Sequence, residues 1–187
     1  DPGSETTTIA MNGDQSVTAE FTLKTVTLTM NAPSGTGSGT VNPGVGPHSY
    51  PYGTVVNLTA SPDPVSSDFA GWTGGVADPG SETTTIAMNG DQSVTAEFTL
   101  KTVTLTVVDG GGSGTGTPSP AVGLHSYAWG ETVNLVGNPD VSSDFEWTGD
   151  VNPGVNINGT VTMNGDRTVT ITYTLKQFTV TIISTAG

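Results

Sequence analysis

Acidic residues recur at matching places along this chain and could bind a divalent cation. Asp63 and Asp68 belong to one Pro- and Ser-containing segment, and Asp140 and Asp144 belong to its second copy. Carboxylate oxygens carried on loops are the ligands that Ca²⁺ takes in proteins. The same residues also suit Asx turns and solvated surface charge, and the sequence has no Asp-x-Asp-x-Asp-Gly run. The pattern therefore predicts calcium binding at Asp63 and Asp68 and, in the second copy, at Asp140 and Asp144. Turn formation is the competing interpretation.

Side chains for nucleophilic catalysis are scarce. His48 and His125 each stand beside a Ser, but no third residue recurs with them to complete a Ser-His-Asp triad. The chain contains no cysteine, which excludes a thiolate nucleophile, a disulfide framework and a thiolate zinc site. We expect the histidines to have packing roles, and we expect no enzymatic activity and no cofactor other than calcium.

Aromatic residues could stack on sugar rings. Tyr52 and Trp129 occupy equivalent positions in the two copies, and an exchange of Tyr for Trp suits a half-exposed aromatic side chain. These two residues are therefore predicted glycan-stacking positions. The competing interpretation is core packing, because a small module needs several large side chains for its stability. The whole recurring aromatic set is Tyr50, Tyr52, Phe69, Trp72, Tyr127, Trp129, Phe145 and Trp147.

Two sequences of the form Asn-x-Thr are candidate glycosylation sites, at Asn57 and Asn158. Three of the four cations, Lys24, Lys101 and Lys176, stand at corresponding positions. They could form Lys–Asn crosslinks, or could pair with carboxylates such as Glu97 four residues earlier on the same strand. Exposed ion pairs of the second kind stabilise a fold by only about 0–1 kcal/mol.

The charge balance narrows the range of partners. Seventeen acidic residues stand against four basic ones, for a net charge of −13. Nucleic acid and anionic membranes are both bound through clusters of Lys and Arg, so neither is expected as a partner. No apolar run of about 18 residues is present, so no transmembrane helix is predicted. The partners we expect are neighbouring copies of the same repeat, with cell-surface glycans or other filaments as further possibilities.

Internal repetition organises the chain. Residues 1–29 are identical to residues 78–106, and a weaker third copy aligns Met163 with Met88. Self-similarity at a fixed period is the signature of repeat architectures. The predicted units are the end of a preceding repeat at 1–23, complete repeats at 24–100 and 101–175, and the first strand of a following repeat at 176–187. The chain therefore reads as an excerpt from a longer array.

The local patterns are all typical of β-strands. Val26, Leu28 and Met30 alternate with Thr, which is the period of a half-buried strand, and residues 178–182 repeat the alternation. Asn89-Gly90 between two alternating runs predicts a hairpin with a type I′ turn. No window has an apolar period near 3.6. We expect an all-β fold of tandem small sheets or sandwiches, with little or no helix.

The junction between repeats predicts close coupling. Phe21 and Leu23 share one parity along the strand, whereas Val26 and Leu28 share the other. The apolar face therefore changes sides at Lys24, so the chain leaves one core and enters the next with almost no linker. This arrangement favours a stiff, elongated rod over flexibly linked modules.

Each repeat combines an aromatic pair before Gly, a Phe-x-x-Trp-x-Gly run and a Met-Asn-Gly-Asp turn before a strand. In the first complete repeat the matching residues are Tyr50, Tyr52, Gly53, Val56, Leu58, Phe69, Trp72, Gly74, Met88, Asp91, Val94 and Phe98. This combination resembles the divergent internalin B-repeat family of bacterial surface and secreted proteins. The resemblance implies tandem, stalk-like cell-surface modules with a compact fold related to the β-grasp, and it does not imply an enzyme.

We therefore expect a structural repeat segment from a long extracellular stalk, adhesin or filament of a prokaryote. Two alternatives remain open. The repeats could be carbohydrate-binding accessory modules of a secreted protein. The chain could also be a self-assembling filament subunit in which β-strand addition joins separate copies.

Overall fold

The computed structural model describes residues 5–151 and 158–183, and within those ranges it contains strands and no helix. The all-β prediction is confirmed. The first complete repeat carries β1 (Thr25–Met30), β2 (Ser34–Gly35), β3 (Gly39–Asn42), β4 (Gly46–Pro51), β5 (Val55–Pro62), β6 (Ser67–Thr73), β7 (Thr83–Ala87) and β8 (Gln92–Leu100). The second carries β9 (Thr102–Asp109), β10 (Gly123–Ala128), β11 (Thr132–Leu135), β12 (Ser143–Gly149), β13 (Gly159–Thr162) and β14 (Arg167–Leu175).

One sheet of the first repeat is built around β8. The beginning of β8 pairs in parallel with β1, so that Leu28 lies opposite Gln92 and Met30 lies opposite Val94. Farther along, β8 pairs in parallel with β2 and in antiparallel orientation with β6. The outer side of β1 pairs with β4. The strand that enters the repeat is thus a parallel neighbour of the strand that leaves it.

A second sheet, β3-β5-β7, forms the other layer of the repeat. Its apolar side chains, including Val56, Leu58 and Ile86, share one core with Leu28 of β1 and Phe98 of β8. The alternation of Val and Leu with polar residues places one face of each strand in this core, as the period of two requires. Two sheets enclose the core of the repeat, so it is a small β-sandwich.

The second repeat has the same arrangement. Its main sheet has the order β10-β9-β14-β12, and β11 pairs with β13 in the other layer. Bridges from Gly116 to Pro139 and from Ser119 to Val136 stand where β3 pairs with β5 in the first repeat. Leu105, Leu135 and Ile171 are among the buried residues of a separate second core.

The predicted hairpin at Asn89-Gly90 is wrong. β7 pairs with β5, whereas β8 pairs with β1, β2 and β6, so the two strands lie in different sheets. Neither Asn89 nor Gly90 has the positive φ that a type I′ turn needs. The preceding Met88 is fully buried in the core between the sheets. Residues 88–91 therefore form an arch that carries the chain from one layer to the other.

The second repeat is two residues shorter than the first, and the structure explains one of the two. β6 has a bulge between Phe69 and Gly71, whereas β12 pairs with β14 without interruption. Alignment of Phe69 with Phe145 and of Trp72 with Trp147 makes Ala70 the extra residue. The other is Pro64, because Asp140 is followed directly by the Val that stands two positions after Asp63.

The segments outside the two sandwiches differ from expectation. Residues 176–183 form no strand, although a first strand was predicted from residue 176 onwards, and residues 184–187 of that prediction lie outside the described part. Residues 5–23 likewise form no strand, and Phe21 and Phe178 are 92% and 82% exposed. In the complete repeats the equivalent strands are ordered by pairing with β4, β5 and β6 or their counterparts. In this chain those strands pair with β1, β7 and β8 or with the counterparts of these in the second repeat.

Candidate functional site

The candidate site lies where the first repeat meets the second, at the loop that begins with Asp63. The Asp63 carboxylate accepts hydrogen bonds from the backbone N–H of Val65 at 2.9 Å and of Ser66 at 3.0 Å, and from the Ser66 hydroxyl at 3.1 Å. These bonds, led by the one from the Ser66 backbone, lower the pKa of Asp63 below its usual value of 3.8. The carboxylate thus holds the loop in a fixed turn.

The loop is hydrogen-bonded to Lys101, the first residue of the next repeat. Lys101 donates its backbone N–H to the Ser66 carbonyl at 2.9 Å and its Nζ to the Pro64 carbonyl at 2.5 Å. The carbonyl of the same lysine accepts the backbone N–H of Trp129 at 2.8 Å, in the second repeat. Lys101 is therefore hydrogen-bonded to both repeats. The pairing with Glu97 considered for this lysine is replaced by contacts with backbone carbonyl groups.

The same arrangement recurs at the end of the second repeat. Lys176 donates its backbone N–H to the Ser142 carbonyl at 2.9 Å and its Nζ to the Val141 carbonyl at 3.1 Å. Asp140 accepts a bond from the Thr115 hydroxyl, and this bond is the largest cause that lowers the pKa of Asp140. We call these two arrangements the junction clasps: residues 63–66 with Lys101, and residues 140–142 with Lys176.

The four predicted calcium ligands do not form two compact pairs of loop residues. Asp63 and Asp140 lie in the junction clasps, whereas Asp68 and Asp144 lie on β6 and β12 with exposed side chains. Within residues 5–151 and 158–183, no group of three or more His, Asp or Glu side chains is placed to hold a metal ion. One oxygen of Asp63 already accepts three local hydrogen bonds. A calcium ion here would need most of its ligands from backbone carbonyls and water.

Most of the aromatic set serves the cores. Trp72 is buried, donates its Nε1 to the Ser81 carbonyl at 3.0 Å, and makes an edge contact with Phe69. The two predicted sugar-stacking residues differ from this pattern. Tyr52 is 52% exposed, and Trp129 is half-buried against the second core. Their position directly after the edge strands β4 and β10 leaves part of each ring accessible.

The remaining sequence candidates lie at separate places. The Nε2 atoms of His48 and His125 are each 2.6 Å from a backbone carbonyl, of Gly44 and Ala121 respectively, which is consistent with a role in fixing the preceding turn. Asn57 is exposed on β5, and Asn158 is exposed directly before β13. Both sequon asparagines are therefore at the surface.

One recurring pair of contacts was missed by reasoning from the sequence. The carboxylate of Asp91, in the arch, accepts the backbone N–H of Thr27 at 2.8 Å, and Asp166 accepts that of Thr104 at the same distance. The sequence shows Asp after Met-Asn-Gly in each repeat, and this pattern predicts only a turn residue. Its partner lies more than 60 residues away, so no local pattern could identify it.

Comparison with known proteins agrees with the resemblance seen in the sequence. The family model of the divergent InlB B-repeat domain matches residues 26–102, which span the first sandwich and the junction that follows it. Neither a curated protein nor a solved structure matches the chain. Within the described residues, no helix is long and apolar enough to cross a membrane.

Proposed function

We propose that this chain, whose first complete repeat matches the model of the divergent InlB B-repeat domain, is a spacer segment of a prokaryotic cell-surface stalk, adhesin or filament. A domain of this kind suggests a bacterial surface module. The proposed location is extracellular, and the partners are further copies of the same repeat. The observation that carries the proposal is that Lys101 is hydrogen-bonded to both repeats.

The course of the chain through one repeat supports a spacer role. The chain enters at the start of β1 and leaves at the end of β8, and these parallel strands overlap only where Leu28 lies opposite Gln92 and beyond. Three residue steps from Thr25 to Leu28 and ten from Gln92 to Thr102 separate the start of one repeat from the equivalent start of the next. At a rise of roughly 3.3 Å per residue, these 13 steps advance the chain by about 43 Å per repeat.

Distance measurements between the repeats test the proposal. The chain has no cysteine, so Ser49→Cys and Ser126→Cys, at equivalent exposed positions of β4 and β10, would carry the only spin labels. Since the positions are equivalent, their separation measures the advance per repeat. We expect one narrow distance distribution centred at about 43 Å. A short mean distance, or a distribution as broad as that of a flexible linker, would contradict a spacer.

A matched pair of lysine variants isolates the junction clasp. Lys101→Ala removes the bond to the Pro64 carbonyl and is expected to broaden the distance distribution. Lys24→Ala is the control, because the Nζ of Lys24 has no hydrogen-bond partner within the described part of the chain. Equal distributions for both variants would show that the Lys101 side chain does not orient the repeats.

A carbohydrate-binding function is the second candidate, favoured by the exposed side chain of Tyr52 and the half-buried side chain of Trp129. Sugar rings stack on accessible aromatic side chains, and each contact of this kind contributes modestly to affinity. Binding to a polysaccharide panel that is lost in Trp129→Ala would support this candidate. Absence of binding to every glycan on the panel would count against it.

Self-assembly is the third candidate. The exposed apolar residues Val17, Phe21 and Leu23 belong to a segment identical to β8, and Phe178 and Val180 belong to one that aligns with β1. Pairing of these segments between copies would add strands and extend a filament. Electron microscopy of the purified chain separates fibres that dissociate in mild denaturant from single particles.

A further inference from the structure

The arch between β7 and β8 exposes an Asn-Gly pair at a point that matters for the fold. Asn89 is exposed, and its side chain has no hydrogen-bond partner within the described residues. The following Asp91 holds Thr27 of β1. We propose that Asn89 is a site of spontaneous deamidation, and that conversion of this residue weakens the attachment of the arch to β1.

The local geometry leaves both reacting groups available. The Asn89 backbone N–H donates to the Ala87 carbonyl at 3.0 Å, which fixes the chain before the pair. The Gly90 N–H, in contrast, bonds to no described residue, and Gly90 has no side chain to hinder an approach to its nitrogen. Because β7 and β8 lie in different sheets, no ladder of backbone hydrogen bonds crosses the arch to restrain it.

The reaction consumes only water. The Gly90 nitrogen loses its proton and attacks the side-chain carbonyl carbon of Asn89, forming a five-membered imide, and the side-chain amide leaves as ammonia. Water then adds to one of the two imide carbonyls, and the ring opens to aspartate or isoaspartate. The balance is one Asn and one water converted to one acidic residue and one ammonia, without oxidation or reduction.

The products disturb the contact that follows. Isoaspartate routes the main chain through one additional carbon atom, which shifts Asp91 relative to the N–H of Thr27. Both products place a new negative charge two residues from Asp91, in a chain whose net charge is already −13. Like charges at this spacing repel each other. Deamidation therefore affects the first sandwich through the Asp91–Thr27 bond, and not only through the modified residue.

The chain supplies its own comparison sites. Asn12-Gly13 has the same neighbours in sequence as Asn89-Gly90 but lies in a segment without strands, so it gives the rate without a sandwich around it. At Asn164 the side-chain oxygen accepts a bond from Arg167, which restrains the amide. At Asn158 the attacking nitrogen belongs to Gly159, which is buried in β13 opposite Leu135. We expect Asn12 to react first, then Asn89, with Asn164 and Asn158 slower.

The proposal is tested by incubating the undigested chain in mildly alkaline buffer, digesting it with trypsin and measuring deamidation of the peptides by mass spectrometry. Trypsin cleaves after Lys24, Lys101 and Arg167, so Asn12 and Asn89 fall in different peptides. Conversion of Asn89 at a rate of the same order as Asn12, and ahead of Asn164, is the expected result. An intact Asn89 in samples where Asn12 has fully converted would overturn the proposal.

Two variants separate the chemistry from damage to the fold. A Cβ at Gly90 would meet no atom within 4 Å, so Gly90→Ala should fold normally while its side chain obstructs imide formation. Asn89→Gln is the second variant, because the longer side chain must close a less favourable ring. Both should block conversion at residue 89. If the converted protein melts at the same temperature as the unconverted protein, the inferred link to β1 is wrong.

Discussion

The carboxylate of Asp91 accepts a hydrogen bond from the backbone N–H of Thr27 at 2.8 Å, although 64 positions separate the two residues along the chain. Asp166 and Thr104 repeat the contact at the same distance in the second repeat. The bond joins the arch, which changes sheets, to the first strand of the repeat. It therefore ties together the beginning and the end of each sandwich.

Removal of this bond should destabilise the first repeat. We expect Asp91→Ala to lower the free energy of unfolding by about 1–2 kcal/mol, because hydrogen bonds to charged acceptors contribute on this scale. Asp91→Asn keeps an acceptor oxygen and should cost less. Denaturant unfolding measures the change, and Glu82→Ala is the control at an exposed carboxylate. Equal stability of Asp91→Ala and the parent chain would contradict the structural role of this bond.

Close packing at Gly39 provides a second test. A Cβ at this position would lie 2.5 Å from the ring of Phe98, which is fully buried and cannot move aside. Gly39→Ala should therefore lower the stability of the first repeat by about 1–3 kcal/mol, the typical cost of overpacking. Gly44→Ala is the matched control, since its added Cβ meets no atom within 4 Å. Thermal unfolding should separate the two variants clearly.

Acid should weaken the junction clasp at Asp63. The hydrogen bonds from Ser66 and Val65 lower the pKa of Asp63 in the folded protein below its usual 3.8. Stability from these bonds is therefore fully present above the unfolded pKa and is lost as the pH falls through the folded pKa. We expect the free energy of unfolding to fall as the pH drops below 3.8, and Asp63→Asn to flatten this dependence. An unchanged pH profile in Asp63→Asn would assign the acid sensitivity to other carboxylates.

Calcium binding at the predicted acidic residues is tested by melting. If a calcium ion binds the folded chain at Asp63 and Asp68, added Ca²⁺ should raise the melting temperature by mass action. Asp68→Asn should reduce the shift without disturbing the clasp, because the Asp68 side chain is exposed on β6. Identical melting curves with Ca²⁺ and with a chelator would contradict the calcium prediction.

Local patterns in the sequence predicted the strands well and their partners poorly. The alternation of Val26, Leu28 and Met30 with Thr marks β1 because it reports burial on one face, which is a property of the strand itself. The Asn89-Gly90 pair indicated a turn correctly but not which turn. A hairpin and an arch have the same short sequence signature here, and the choice depends on whether β7 or β1 and β6 offer β8 the better neighbours.

The position of the candidate site was predictable from the sequence, but the contacts within it were not. Repetition placed Lys101 at the junction, and its charge suggested a carboxylate partner. The structure instead pairs it with carbonyl oxygens of Pro64 and Ser66, which every residue possesses and which no sequence pattern distinguishes. Asp63 was predicted as a metal ligand because the sequence shows its charge but not its hydrogen-bond partners. Its hydrogen bonds from Val65 and Ser66 depend on how the loop folds.

The parallel pairing of β1 with β8 determines how a repeat would respond to tension along the chain. A pull on the residues before β1 and after β8 acts in opposite directions on two adjacent strands, along their length. The hydrogen bonds between the strands are then loaded together in shear and must break nearly simultaneously, whereas a hairpin pulled at its open end unzips one bond at a time. β9 and β14 meet in the same way. Each sandwich is thus oriented to resist stretching.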